Sequence, residues 1–82
     1  MSKWEKLIQE ILKLNADLRF EDLAKALIKM GYTQHQPNGG SSHYTFRKKG
    51  CMPVTIPKHT PLKKVYIEKV RDIVQEFLDE EV

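Results

Sequence analysis

Residues 39–57 read GGSSHYTFRKKGCMPVTIP, and the alternation inside this stretch decides the fold. From Ser41 to Arg47 it is strict: Ser42, Tyr44 and Phe46 share one face, and Ser41, His43, Thr45 and Arg47 share the other. A period of two is the mark of a half-buried strand. Lys48-Lys49-Gly50-Cys51 is a turn by composition, and the alternation then resumes with Met52, Val54 and Ile56 on one side and Thr55 on the other. Upstream, Tyr32-Thr33-Gln34-His35-Gln36 reads as a short strand and Pro37-Asn38-Gly39-Gly40 as the turn that follows it. The expectation is an antiparallel three-stranded meander with one apolar face. Pro53 and Pro57 cannot donate to a ladder, so the third strand must be short or have an unpaired side.

Helical spacing flanks the meander. Trp4, Leu7, Ile8, Ile11 and Leu12 form one amphipathic stripe, which Asn15 and Asp17 interrupt, and Phe20, Leu23, Ala24, Leu27 and Ile28 form a second. Glu21 and Asp22 suit the first turn of that second helix, and Gly31 can take the left-handed conformation beyond its end. After the strands, Tyr66, Ile67, Val70, Ile73, Val74 and Phe77 predict a final helix, with the acidic DEEV end fraying. Three strands with one bare apolar face are not stable alone, so the helices must cover that face and leave the other open. Pleat parity then puts His43, Thr45, Arg47 and Thr55 on the open face, and Tyr44 and Phe46 in the core. The resulting class is α+β, one domain of 82 residues.

The net charge of +3 conceals an uneven distribution. Residues 31–71 carry eight basic side chains against Glu68 alone, residues 1–30 are nearly balanced, and residues 72–82 carry five acidic and no basic ones. A basic middle block attracts phosphate backbones or an acidic protein; the plainer reading is a solvated surface. No stretch is long and apolar enough to span a membrane, and the charges in MSKWEKLIQE interrupt any secretory signal, so the expectation is a soluble cytoplasmic protein. The single Cys51 cannot form an internal disulfide and is expected to be reduced beside a hairpin turn.

The sequence contains no glycine-rich loop leading into a helix and no Ser-His-Asp set with motif support. His35, His43 and His59 lack the spacing of metal ligands, and acidic residues are scarce around them, so neither a metal nor another cofactor is expected. A histidine among cations and hydroxyls suits proton transfer during attack on a phosphodiester, with Lys and Arg holding the phosphate. On spacing alone, the plainer reading of His43 is an exposed strand residue, since one histidine does not identify an active site.

The segment from Phe20 to Val74 resembles the HicA family of toxin ribonucleases, the mRNA interferases of type II toxin-antitoxin modules. The resemblance runs through FEDLAKALIKMGY, then Gly40-Ser41-Ser42-His43-Tyr44-Thr45-Phe46 for a Gly-Ser-x-His-x-x-Phe pattern, then VTIPKH, a basic loop and LKKVYIEKVRDIV. It implies a double-stranded-RNA-binding-like α-β-β-β-α fold, metal-independent degradation of mRNA, and neutralisation by a HicB-type antitoxin. The family's catalytic histidine corresponds to His43. Two departures stand out: Ser42 occupies a position where many members have His or Asn, and the first helix lies outside the family's core. Residues 1–18 are accordingly read as an additional helix, 19–78 as the HicA-like domain and 79–82 as an acidic tail.

The expected mechanism is endoribonucleolytic cleavage in which His43 is the general base or acid. Ser41, Arg47, Lys48, Lys58, His59 and Lys64 are the expected RNA-binding residues, and His35 is read as an ordinary hairpin residue. His59, which matches a Pro-x-His signature, is read as structural or phosphate-facing, with a second proton-transfer role as the alternative. Two other readings stay open: a non-catalytic RNA-binding module on the same sheet, and a protein-docking domain for an acidic partner.

Overall fold

The computed structural model describes residues 2–36, 42–59 and 61–80. The chain runs α1 (Lys3–Leu12), α2 (Phe20–Lys29), β1 (Thr33–His35), β2 (His43–Arg47), β3 (Val54–Pro57) and α3 (Lys64–Glu80). Local chemistry sets the helix ends. The Ser2 hydroxyl accepts the Glu5 N–H at 3.1 Å and starts α1. The Arg19 N–H donates to the Asp22 carboxylate at 2.9 Å, half of a capping box that opens α2. Gly31, at φ +103°, turns the chain out of α2 as a left-handed cap.

The sheet has the order β1-β2-β3, antiparallel throughout. Thr33 faces Arg47, His35 faces Thr45, Thr45 faces Thr55 and His43 faces Pro57. Gly50, at φ +81°, takes the positive φ of a type II turn, which the Cys51 N–H closes on the Lys48 carbonyl at 3.0 Å. This is the fold expected from the alternation, an α+β domain with one apolar sheet face under helices. Phe46, Val54 and Ile56 are buried with Phe20, Leu23 and Leu27 of α2 and with Ile67, Val70 and Val74 of α3. The Phe20 ring packs 5.1 Å from Tyr44 and 6.1 Å from Phe46, tilted in both cases. Helix α1 lies against α3 and α2, and its Ile8 and Ile11 join the same core.

Three expectations need correction. Met52 does not share the buried face of Val54 and Ile56; it is 82% exposed, because the alternation in composition begins before the segment that pairs with β2. In α2, Ile28 is 50% exposed while Ala26 and Met30 are buried, so the apolar stripe leans one residue toward the small side chain. Asp79 and Glu80 continue α3, and only residues 81–82 of the acidic tail lie outside the described region.

The prolines of β3 have a specific placement. The Lys58 N–H donates to the Ser42 carbonyl at 2.8 Å, so by the alternation of an antiparallel ladder residues 54, 56 and 58 turn their backbone groups toward β2, and 53, 55 and 57 turn theirs outward. Both missing N–H groups therefore lie on the free edge, and the strand has the unpaired side that its prolines predicted.

Candidate functional site

His43 is the first residue of β2 and is exposed, as parity required. The pairing that faces it with Pro57 brings the chain after β3 to the same end of the sheet, where it leads into α3. A cleft of about 320 Å³ opens there, lined by His43, Pro57, His59, Pro61, Lys63 and Tyr66. The two imidazoles meet edge to face, with ring centroids 6.3 Å apart and planes at 80°. Nε2 of His59 is 3.1 Å from the Ser42 hydroxyl. That contact fixes which edge of the His59 ring turns to the protein and leaves Nδ1 as its second exchangeable position.

Among the described residues no carboxylate lines this cleft. Its charged wall is Lys63, and α3 begins one residue later with no acidic residue in its first turn, in contrast to Glu5 in α1 and Glu21 and Asp22 in α2. The positive end of the 17-residue α3 dipole is therefore not offset from within its own helix, and it adds to Lys63 in favouring an anion. A second depression, lined by Asp17, Arg19, His59 and Pro61, shares this histidine, so a cation and a carboxylate of the α1–α2 connection both border it. Among the described residues no three His, Cys, Asp or Glu side chains are grouped so as to hold a metal ion.

The expected RNA-binding residues divide. His59 is in the cleft, and exposed Lys58 sits between two of its lining residues. Lys64 is exposed at the start of α3, next to Lys63, although Lys63 is the one that reaches the cleft wall. Arg47 is exposed at the opposite end of β2, about 13 Å along the strand from His43 at ~3.3 Å per residue. Lys48 is further away still, and its ammonium lies 5.7 Å from the Tyr32 ring centroid and 5.5 Å from that of Phe77. That pocket belongs to a different cluster, with Cys51, Glu76 and Glu80; burial first, then Cys51 and those two glutamates, raise the Tyr32 phenol above its ordinary pKa. Ser41 lies outside the described residues.

Between the two ends of β2 the open face carries Thr45 and Thr55, whose hydroxyls are 3.3 Å apart, with His35 exposed across from Thr45. The expectations missed Lys63 and Tyr66 as neighbours of His43, and Ser42 and Arg19 as neighbours of His59. Tyr66 belongs to the apolar stripe of α3 and is half-buried, packed against the core and also lining the cleft. Among the described residues no helix is long and apolar enough to cross a membrane. No family model, curated protein or solved structure matches the chain.

Proposed function

We propose that this chain is a metal-independent endoribonuclease of the HicA toxin type, acting on mRNA in the cytoplasm and held in check by a HicB-type antitoxin. The observation that carries the reading is the cleft at the end of β2, where His43, His59 and Lys63 converge beside the start of α3. Its imidazoles, hydroxyl and cation supply proton transfer and phosphate neutralisation directly. In this mechanism His43 takes the proton of a ribose 2′-hydroxyl, which attacks the adjacent phosphorus, and Lys63 stabilises the charge that grows on the phosphoryl oxygens. Dependence on the 2′-hydroxyl makes RNA the substrate and spares DNA.

The purified chain is expected to cleave RNA in excess EDTA and to leave DNA of the same sequence intact, as read on a denaturing gel. Cleavage only on addition of a divalent ion would contradict the mechanism. Binding without cleavage, with the same salt dependence, would instead favour the RNA-binding module.

Affinity for RNA should fall steeply with salt. The combined change Arg19→Ala and Lys63→Ala is expected to lower it for unrelated sequences alike and to flatten the slope of log affinity against log salt by about 0.7 per lost phosphate contact. Lys48→Ala should leave that slope unchanged, since its ammonium is held between Tyr32 and Phe77. A titration of fluorescent RNA at four salt concentrations measures both.

A further inference from the structure

We propose that His59 is the second proton-transfer group of this cleft, the general acid that protonates the departing 5′-oxygen while His43 accepts the proton of the 2′-hydroxyl; this rests on the ribonuclease reading above. Three observations carry it.

The first is separation. With ring centroids 6.3 Å apart, the two imidazoles lie close enough for a single phosphodiester seated across the mouth of the cleft to reach both. Each nitrogen is then asked to approach its own oxygen to a hydrogen-bond distance of about 2.6–3.2 Å. The second is orientation. His59 does not lie on a strand, so a fixed ring needs a partner, and the Ser42 hydroxyl at 3.1 Å from Nε2 is that partner. A hydroxyl can accept from an N–H or donate to a bare nitrogen by rotating its own hydrogen. The contact therefore survives whether His59 carries one proton or two, and the ring can give up a proton at Nδ1 without losing its anchor. The third is the company of the pair. Lys63 lines the same cleft, so the phosphoryl oxygens meet a cation while the imidazoles meet the two reacting oxygens; Arg19 and Asp17 border His59 from a second depression.

The step balances. The 2′-oxygen forms a bond to phosphorus as its proton passes to His43, and the bond from phosphorus to the 5′-oxygen breaks as a proton passes from the His59 imidazolium to that oxygen. The products are a 2′,3′-cyclic phosphate and a free 5′-hydroxyl. His43 is left protonated and His59 neutral, and exchange with water restores both. No oxidant, reductant or further reactant is needed.

A merely phosphate-holding His59 and a proton-donating one differ in how they respond to the leaving group. The probe is an oligoribonucleotide cut by the unmodified chain, compared with its counterpart in which sulfur replaces the bridging 5′-oxygen at the cleaved linkage, both in EDTA. A thiol has a pKa near ~8.5 and departs as a thiolate, whereas an alkoxide requires a proton. His59→Ala is expected to slow the oxygen substrate by about 10²- to 10⁴-fold and the sulfur substrate by less than about 10-fold. His43→Ala is expected to slow both by the same factor. His59→Asn, which keeps an amide able to reach Ser42, should behave as His59→Ala, and circular dichroism should show both variants folded. Equal slowing of the two substrates by His59→Ala, no slowing of either, or sulfur rescue of His43→Ala instead would overturn the assignment. If the unmodified chain cuts no oligoribonucleotide in EDTA, the ribonuclease reading itself is wrong.

Discussion

His43→Ala is expected to lower RNA cleavage by about 10²- to 10⁴-fold, the usual contribution of one general acid or base, with little change in melting temperature. The side chain is exposed at the first position of β2, and its ring meets the exposed His59 ring edge to face rather than entering the core. Surface changes of this kind are ordinarily worth no more than about ±0.5 kcal/mol. The backbone of residue 43 stays in the strand, since its facing residue is Pro57 and the neighbouring Ser42–Lys58 bond is made by main-chain atoms. Initial rates on one RNA and a thermal melt, taken on the same preparation, test both halves. Normal cleavage by the alanine variant would remove His43 from the chemistry, and a large fall in melting temperature would show that its position is structural.

Phe46→Ala is expected to do the reverse. Phe46 is 0% exposed, faces Val54 across the ladder and packs on Phe20 of α2, so it ties the sheet to the helical layer. Removing a buried Phe costs about 3–5 kcal/mol once the cavity is counted, a large share of the ~5–15 kcal/mol that holds a domain together. At ~4–8 °C per kcal/mol for a domain of this size, the melting temperature should drop by at least about 12 °C, and activity should disappear only with the fold. A small shift would mean that neighbouring side chains close the cavity, or that the sheet packs on the helices through Val54 and Ile56 instead.

These two variants test opposite faces of one five-residue strand, and those faces were legible because a period of two admits no partial error: a slip of one residue would have exchanged Phe46 with Thr45. The helices were less sharply defined. A 3.6-residue repeat has a stripe edge rather than a parity, and at that edge α2 turns Ile28 to solvent while burying Ala26, which leaves closer approach to its neighbours. Met52 failed for a related reason, since alternation in composition extended beyond the segment that pairs.

The position of one cleft residue was legible and that of its surroundings was not. Strand parity placed His43 on the open face. Ser42 and His59 are 17 residues apart and meet only because β2 and β3 pair in this register. The count of positive charges had no direction in it: Lys48 and Lys63 are alike as members of the basic block, yet one ammonium is held over two aromatic rings and the other side chain reaches the cleft. Arg19 belonged to a stretch with balanced charge and gave no signal, because its approach to His59 depends on how the α1–α2 connection packs under Pro61.

The outward-facing prolines of β3 bear on how this protein meets its own copies. A free strand edge is a template on which another chain can lay its own backbone, and sheets grow into aggregates by that route. Along the outer edge of β3 an incoming strand would find one donor, at Thr55, flanked on each side by a ring with none to give. Continuous growth of the sheet past β3 is therefore blocked at two of three contacts. The chain can be made in quantity without zipping into ribbons from that side, and any macromolecule that covers the His43 cleft from the β3 side has to be recognised by side chains across a surface rather than by adding a strand.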